Sequence, residues 1–166
     1  MMFREMRRRR QALPEGECVA ILERMTSGVL AVEGDGGYPY AVPLSYVYAG
    51  GKLYFHSARE GHKVDALRRN AKASFCVVER DEVVAEEYTT YFRSVVVFGQ
   101  VRFVEEEREK LAALELLAEK YAPGERERRQ REIAQGFDHL YVLELDVECM
   151  TGKEAVELLR QRKGGG

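Results

Sequence analysis

Short runs of period two dominate the first two thirds of the chain, and helical spacing takes over after them. From 40 to 48 the side chains alternate. Tyr40, Val42, Leu44, Tyr46 and Tyr48 fall on one face, and Ala41, Pro43, Ser45 and Val47 on the other. That period predicts a strand with one large, core-suited face and one small face. Similar runs predict strands at 29–33, 52–57, 73–78, 91–104 and 140–147. Glycine clusters at 34–37 and 49–51 supply tight turns, so the first three strands form a meander. Gly99 marks a bend in the longest run. Residues 79–87 read as a polar, acidic loop.

Helices flank these strands. The first begins at Pro14, with Glu15 and Glu17 in its opening turn, and stops at Gly28. A short one covers 61–70. The clearest runs over 105–121, where Leu111, Leu114, Ala118 and Tyr121 recur at helical spacing before Pro123 and Gly124 break it. A charged, solvated helix follows at 125–135, and a last one at 152–162, with glycines 164–166 as a frayed tail. Strands inside and helices outside predict a mainly β fold with flanking helices, an antiparallel barrel or sandwich.

Length and charge narrow the class. The 166 residues suit a single domain. Its parts are a basic arm at 1–13, a helical insertion at 105–135, and a C-terminal helix and tail at 152–166. A net charge of −2 argues against a general polyanion binder. The run Arg7, Arg8, Arg9, Arg10 has no aromatic residues between its arginines, so it is expected to cap the fold or a partner subunit, not nucleic acid. No apolar stretch follows it, so no signal peptide is expected, and no run is long enough to span a membrane. Three scattered cysteines without a C-x-x-C pair suggest neither a disulfide framework nor a zinc site, and fit a reducing cytoplasm.

The candidate chemistry gathers where the third strand hands over to a helix. His56 and Ser57 end the strand, Gly61 opens the helix, and His62 and Lys63 stand in its first turn. Free helix amides, a lysine, a hydroxyl and imidazoles are the parts a phosphate requires. Neither G-x-x-x-x-G-K-[ST] nor G-x-G-x-x-G is present, so the site is not a P-loop or a Rossmann turn. Two further features stand apart. Pro43 cannot donate to a ladder, which puts its strand at an edge, a bulge or a ligand. Arg93 and Ser94 interrupt an otherwise apolar strand. Read alone, these residues are equally at home in a plain edge strand, a bland strand–turn–helix and an exposed strand end.

The three pieces occur in one order, "YAVPLSY", "YFHSAREGHK" and "FRSVVVFGQV", with "MRRRRQ" before and "MTGK" after. Together they resemble the FMN-binding split-barrel family of pyridoxamine-phosphate-oxidase-like flavoproteins, in the branch related to nitroimidazole resistance. The resemblance implies a six-stranded antiparallel split β-barrel and a homodimer with FMN at its interface. It places Val42, Pro43, Leu44, Ser45 and Tyr46 along the flavin ring and ribityl chain, and His56, Ser57, His62 and Lys63 at the phosphate. Arg93, Ser94 and the segment from Thr151 to Lys153 approach the ring. It also implies a flavin oxidoreductase that passes electrons from a reduced nicotinamide to a small acceptor such as a nitroaromatic. The alternative is a carrier without turnover, holding FMN or, through His56, His62 or His139, haem. No membrane or nucleic-acid partner and no metal site are expected; no side chain stands out as an acid, base or nucleophile, and His56, placed first at the phosphate, is the only candidate for a role beyond binding. The chain departs from the vitamin B6 oxidases in having Ala41 where they have arginine, His62 at another arginine position, and "TGKEAVELLRQRKGGG" at its end. Vitamin B6 oxidation is therefore not the expected activity.

Overall fold

The computed structural model describes residues 2–164. Its elements run β1 (Ala12–Leu13), α1 (Glu15–Arg24), β2 (Ser27–Glu33), β3 (Pro39–Ser45), β4 (Val47–Ala49), β5 (Lys52–Ala58), α2 (His62–Arg69), β6 (Lys72–Val84), β7 (Thr89–Phe103), α3 (Glu107–Tyr121), α4 (Arg126–Gly136), β8 (Leu140–Glu154) and α5 (Val156–Gly164). All strands join one antiparallel sheet in the order β3-β2-β6-β7-β8-β5-β4, with β1 added beside β8. The sheet is not closed, since nothing pairs β3 with β4.

Those two edge strands are consecutive in sequence, joined by Tyr46 alone. The sheet must therefore curl until its ends meet. Its inner face carries Leu30, Phe55, Phe75, Val77, Val95, Val97, Leu143 and Leu145, with Ile21 and Leu22 of α1 packed on them. A second, smaller cluster lies outside, where Ala113, Leu114 and Leu117 of α3 cover Val47 and Val142. On α3 the buried stripe is therefore 113, 114 and 117, while Leu111 is left exposed.

Four expectations change. The six strands become eight: the expected strand over 40–48 breaks at Tyr46, and Ala12 and Leu13 of the basic arm add a short strand. The acidic segment 79–87 is largely a hairpin. β6 continues past a bulge at Glu79, pairing Arg80 with Arg93 and Glu82 with Tyr91. Both faces of this extension meet solvent, so its composition imitates a loop. β8 continues to Glu154 instead of ending at 147, because Thr151, Gly152 and Lys153 pair with β7. The last helix consequently begins at Val156, not at 152. Of the expected glycine tail, residues 165–166 lie outside the described residues. No described helix is long and apolar enough to cross a membrane.

The broken strand leaves the Tyr46 backbone without a ladder, and Tyr121 repairs it. The Tyr121 hydroxyl accepts from the Tyr46 N–H at 2.9 Å and lies 2.9 Å from the Tyr46 carbonyl, with the Thr26 carbonyl also in reach. The Tyr46 side chain is fully buried, and its own hydroxyl donates to the Leu22 carbonyl at 2.8 Å. Tyr121→Phe leaves the Tyr46 groups unsatisfied and is expected to cost about 1–2 kcal/mol. Urea denaturation measures this, and hydrogen exchange at the Tyr46 amide should quicken. An unchanged midpoint would show that water replaces the hydroxyl without loss.

Candidate functional site

The alternation in β3 has the expected sense as far as Ser45. Tyr40, Val42 and Leu44 turn toward the core, while Ala41, Pro43 and Ser45 are exposed. Pairing register extends this outer face across the sheet. Pro43, Val29, Cys76, Val96 and Thr151 stand in one row, and Val78, Ser94 and Lys153 in another. Ser94 and the 151–153 segment therefore share a surface with Pro43. Val29, Val78 and Phe98 are exposed on it. The free edge of β3 borders it.

Arg93 goes elsewhere. Its guanidinium sits between Glu79 at 3.5 Å and the fully buried Glu154 at 3.3 Å, and its Nε is buried without a partner. Arg162 completes the pairing of Glu154 at 2.5 Å. Arg93 thus binds the end of β8 and α5 to the hairpin, away from Ser94.

At the strand-to-helix junction the four polar residues differ in their freedom. Ser57 is buried and donates to the neighbouring Ala58 carbonyl at 2.8 Å. The His62 ring stacks on Tyr40, with centroids 4.0 Å apart, and its Nε2 accepts from the Asp35 amide at 3.2 Å. One imidazole nitrogen of His62 is therefore committed to the turn between β2 and β3. Arg69 pairs with Asp35 at 2.7 Å, so α2 fastens β5 to that turn and closes one end of the sheet's break. Lys63 is different. It is half-buried and has no ion-pair partner among the described residues. Burial pulls its pKa below the ordinary lysine value. Gly61, at φ 123°, leads into a helix start that no side chain caps. Unpaired amides and an unpaired, partly desolvated ammonium stand together, which is the arrangement an anion neutralises.

His56 is exposed on the outer face of β5. With Ser45 it lines a cleft of about 470 Å³ under α3 and α4, whose other walls include Leu114, Leu117, Tyr121 and Ile133. The cleft thus straddles the break, taking Ser45 from one side and His56 from the other. Sequence reasoning did not connect α3 and α4 to the site. The only signal was the apolar spacing that ends on Tyr121. His139 is exposed at the start of β8, and neither it nor His62 lines this cleft. Among the described residues no cluster of His, Cys, Asp and Glu suited to a metal ion occurs.

An open, curled antiparallel sheet with helices outside it defines the fold class, and comparison with known proteins supplies the family. The family model described as pyridoxamine 5'-phosphate oxidase matches residues 14–154. The chain belongs to that family. A candidate 5-nitroimidazole antibiotic resistance protein of Bacteroides thetaiotaomicron is similar at 24% identity over 86% of both chains, with a TM-score of 0.71. An FAD-binding protein of Mesorhizobium loti is similar at 26% identity over 87% of this chain and 96% of that one, with a TM-score of 0.65. A flavocytochrome of Azotobacter vinelandii shares the fold at 22% identity, over 91% of this chain and 72% of that one, with a TM-score of 0.78. Among curated proteins, an uncharacterized protein of Rhizobium meliloti is 29% identical over 124 residues, 70% of this chain and 77% of its own length.

Proposed function

We propose that this protein is an FMN-dependent oxidoreductase, working in the cytoplasm as a homodimer that passes electrons from a reduced nicotinamide to a small acceptor such as a nitroaromatic. The observation that carries the reading is Lys63, a half-buried cation without a carboxylate beside an uncapped helix start. Lys63 and the first amides of α2 would hold the phosphate, with the free nitrogen of His62 beside them. Ala41, Pro43 and Ser45 offer a low surface on which a flat ring can lie close to the backbone, and the open edge of β3 offers hydrogen-bonding groups to the ring's polar rim. Ser94 and Lys153 would bound the ring at the far side. The exposed Val29, Val78 and Phe98 on the same face suit a second copy of the chain as its cover. The flavin supplies the redox chemistry when bound, and the chain supplies binding, orientation and exclusion of water. His56, at the cleft mouth, is the side chain best placed to meet a substrate.

The flavocytochrome relative supports a second reading in which the same fold carries haem. His56 is the one imidazole of the three that lines this cleft, so it would be the axial ligand. A visible spectrum of the purified protein, before and after adding FMN, separates the readings. A two-band flavin spectrum that bleaches with reduced nicotinamide and returns on adding a nitroaromatic is the expected result. Failure to bind FMN would overturn the proposal, and a Soret band lost in His56→Ala would install haem. Flavin that binds but never bleaches would make the protein a carrier.

A further inference from the structure

A second cleft, of about 690 Å³, opens at the other end of the β5–α2 junction, lined by Arg59, Arg68, Tyr141, Lys110, Glu105 and Glu107 among others. Its arginines are arranged in an uncommon way. The Arg68 guanidinium lies 4.3 Å from the Phe103 ring centroid and 5.5 Å from that of Tyr141, while Arg59 lies 5.0 Å from the Tyr141 centroid. Arg68 donates to the Tyr141 hydroxyl at 3.3 Å, and Arg59 to the Asp138 carbonyl at 2.9 Å. Neither arginine has an ion-pair partner among the described residues. Two guanidiniums are thus held in place by aromatic rings with their charge unspent. The phenol of Tyr141 reports the same field, since the guanidiniums of Arg59 and then Arg68 beside it pull its pKa below the ordinary value. Lys110 is already occupied by the Phe137 and Leu140 carbonyls.

We propose that this cleft binds an adenylate group, with its phosphate on Arg59 and Arg68 and its base against the Tyr141 ring. The mixed charge of the lining selects that chemistry over a bare polyanion. Glu105 and Glu107 can accept from a ribose diol and an exocyclic amine, which a bare polyanion lacks. Guanidinium faces and aromatic rings both stack on a purine. Two sources of adenylate fit the flavin reading proposed above: FAD, or a nicotinamide dinucleotide. Arg68 stands five residues after Lys63 on α2, a rise of about 7.5 Å, which is within the length of a dinucleotide.

Calorimetric titration of AMP, ribose 5-phosphate and pyrophosphate tests the site without reference to flavin. AMP is expected to bind more tightly than either comparator, and to weaken roughly tenfold or more in Arg59→Gln and in Arg68→Gln. Both side chains are exposed, so neither change should unfold the chain, and either variant suffices if the other does. A preference for FAD over FMN that vanishes in Arg68→Gln identifies FAD as the source. Equal affinity for FAD and FMN, with AMP competing against reduced nicotinamide dinucleotide on the FMN-loaded protein, identifies the donor. AMP that fails to bind, binds no better than pyrophosphate, ignores both substitutions or competes with neither dinucleotide overturns the assignment. Loss of FMN binding with an intact, arginine-dependent AMP site would reject the flavin reading alone.

Discussion

Lys63→Ala is expected to bind FMN roughly 10- to 100-fold more weakly than the unaltered protein, the loss of about 1.5–3 kcal/mol that follows removal of one charge-assisted hydrogen bond. The same substitution should leave the flavin-free protein at least as stable. Burial lowers the pKa of Lys63, so at neutral pH the fold carries the cost of a partly desolvated ammonium without an anion to offset it. That cost is lifted as pH rises through the lowered pKa. Phosphate binding has the opposite sign. It requires the ammonium, so affinity should fall as pH rises through that value, earlier than an ordinary lysine would dictate. On the alkaline side, binding should take up protons. Flavin titrations at stepped pH, with melting curves of the flavin-free protein beside them, read all three effects. A merely structural lysine would show the reverse: a lower melting point without flavin and little change in affinity.

Gly99→Ala should cost about 3 kcal/mol or more in folding stability. Gly99 sits at the β7–β8 bulge, where the partner of Phe98 is Cys149 and that of Gly99 is Val147. A Cβ there would stand well inside contact distance of the Asp146 carbonyl oxygen, 3.0 Å from its carbon and 3.2 Å from a Leu145 methyl. The first two are backbone atoms of a central strand, so the clash is relieved only by opening the ladder. Gly16→Ala in α1 is the control, because its Cβ meets nothing within 4 Å. It should stabilise by about 0.5–1 kcal/mol, the ordinary helix preference for alanine. Equal midpoints for the two variants in urea would refute the bulge argument.

Gly99 was also among the features legible in the sequence. A glycine inside a β-prone run has few reasons to be there other than a bend or a close approach. The faces of β3 and the start of α2 at Gly61 were legible for similar reasons, since period two and a glycine before a polar turn act locally. What escaped was decided by distant partners. Tyr46 continues the β3 pattern, yet the strand stops there because its backbone finds Tyr121 from α3. Residues 80–84 look like loop because solvent covers both faces, yet they pair with 89–93. His62 and Arg93 have the composition of ligand contacts, but Glu79 and Glu154 already engage Arg93, and Asp35 takes one of the two ring nitrogens of His62. Lys63 kept its freedom, and nothing in its neighbours along the chain distinguishes it from those two.

The hydroxyl that holds the two sheet edges together also forms part of the wall of the cleft at their junction, because Tyr121 belongs to both. Divergence in this lineage is therefore channelled. At Tyr121, a change that reshapes the cleft also loosens the closure of the sheet, so novelty there is tied to fragility. Ile133 and Glu132 on α4 line the same cleft and make no hydrogen bond to the Tyr46 backbone. That helix is where a descendant protein can try new ligands while its fold stays shut.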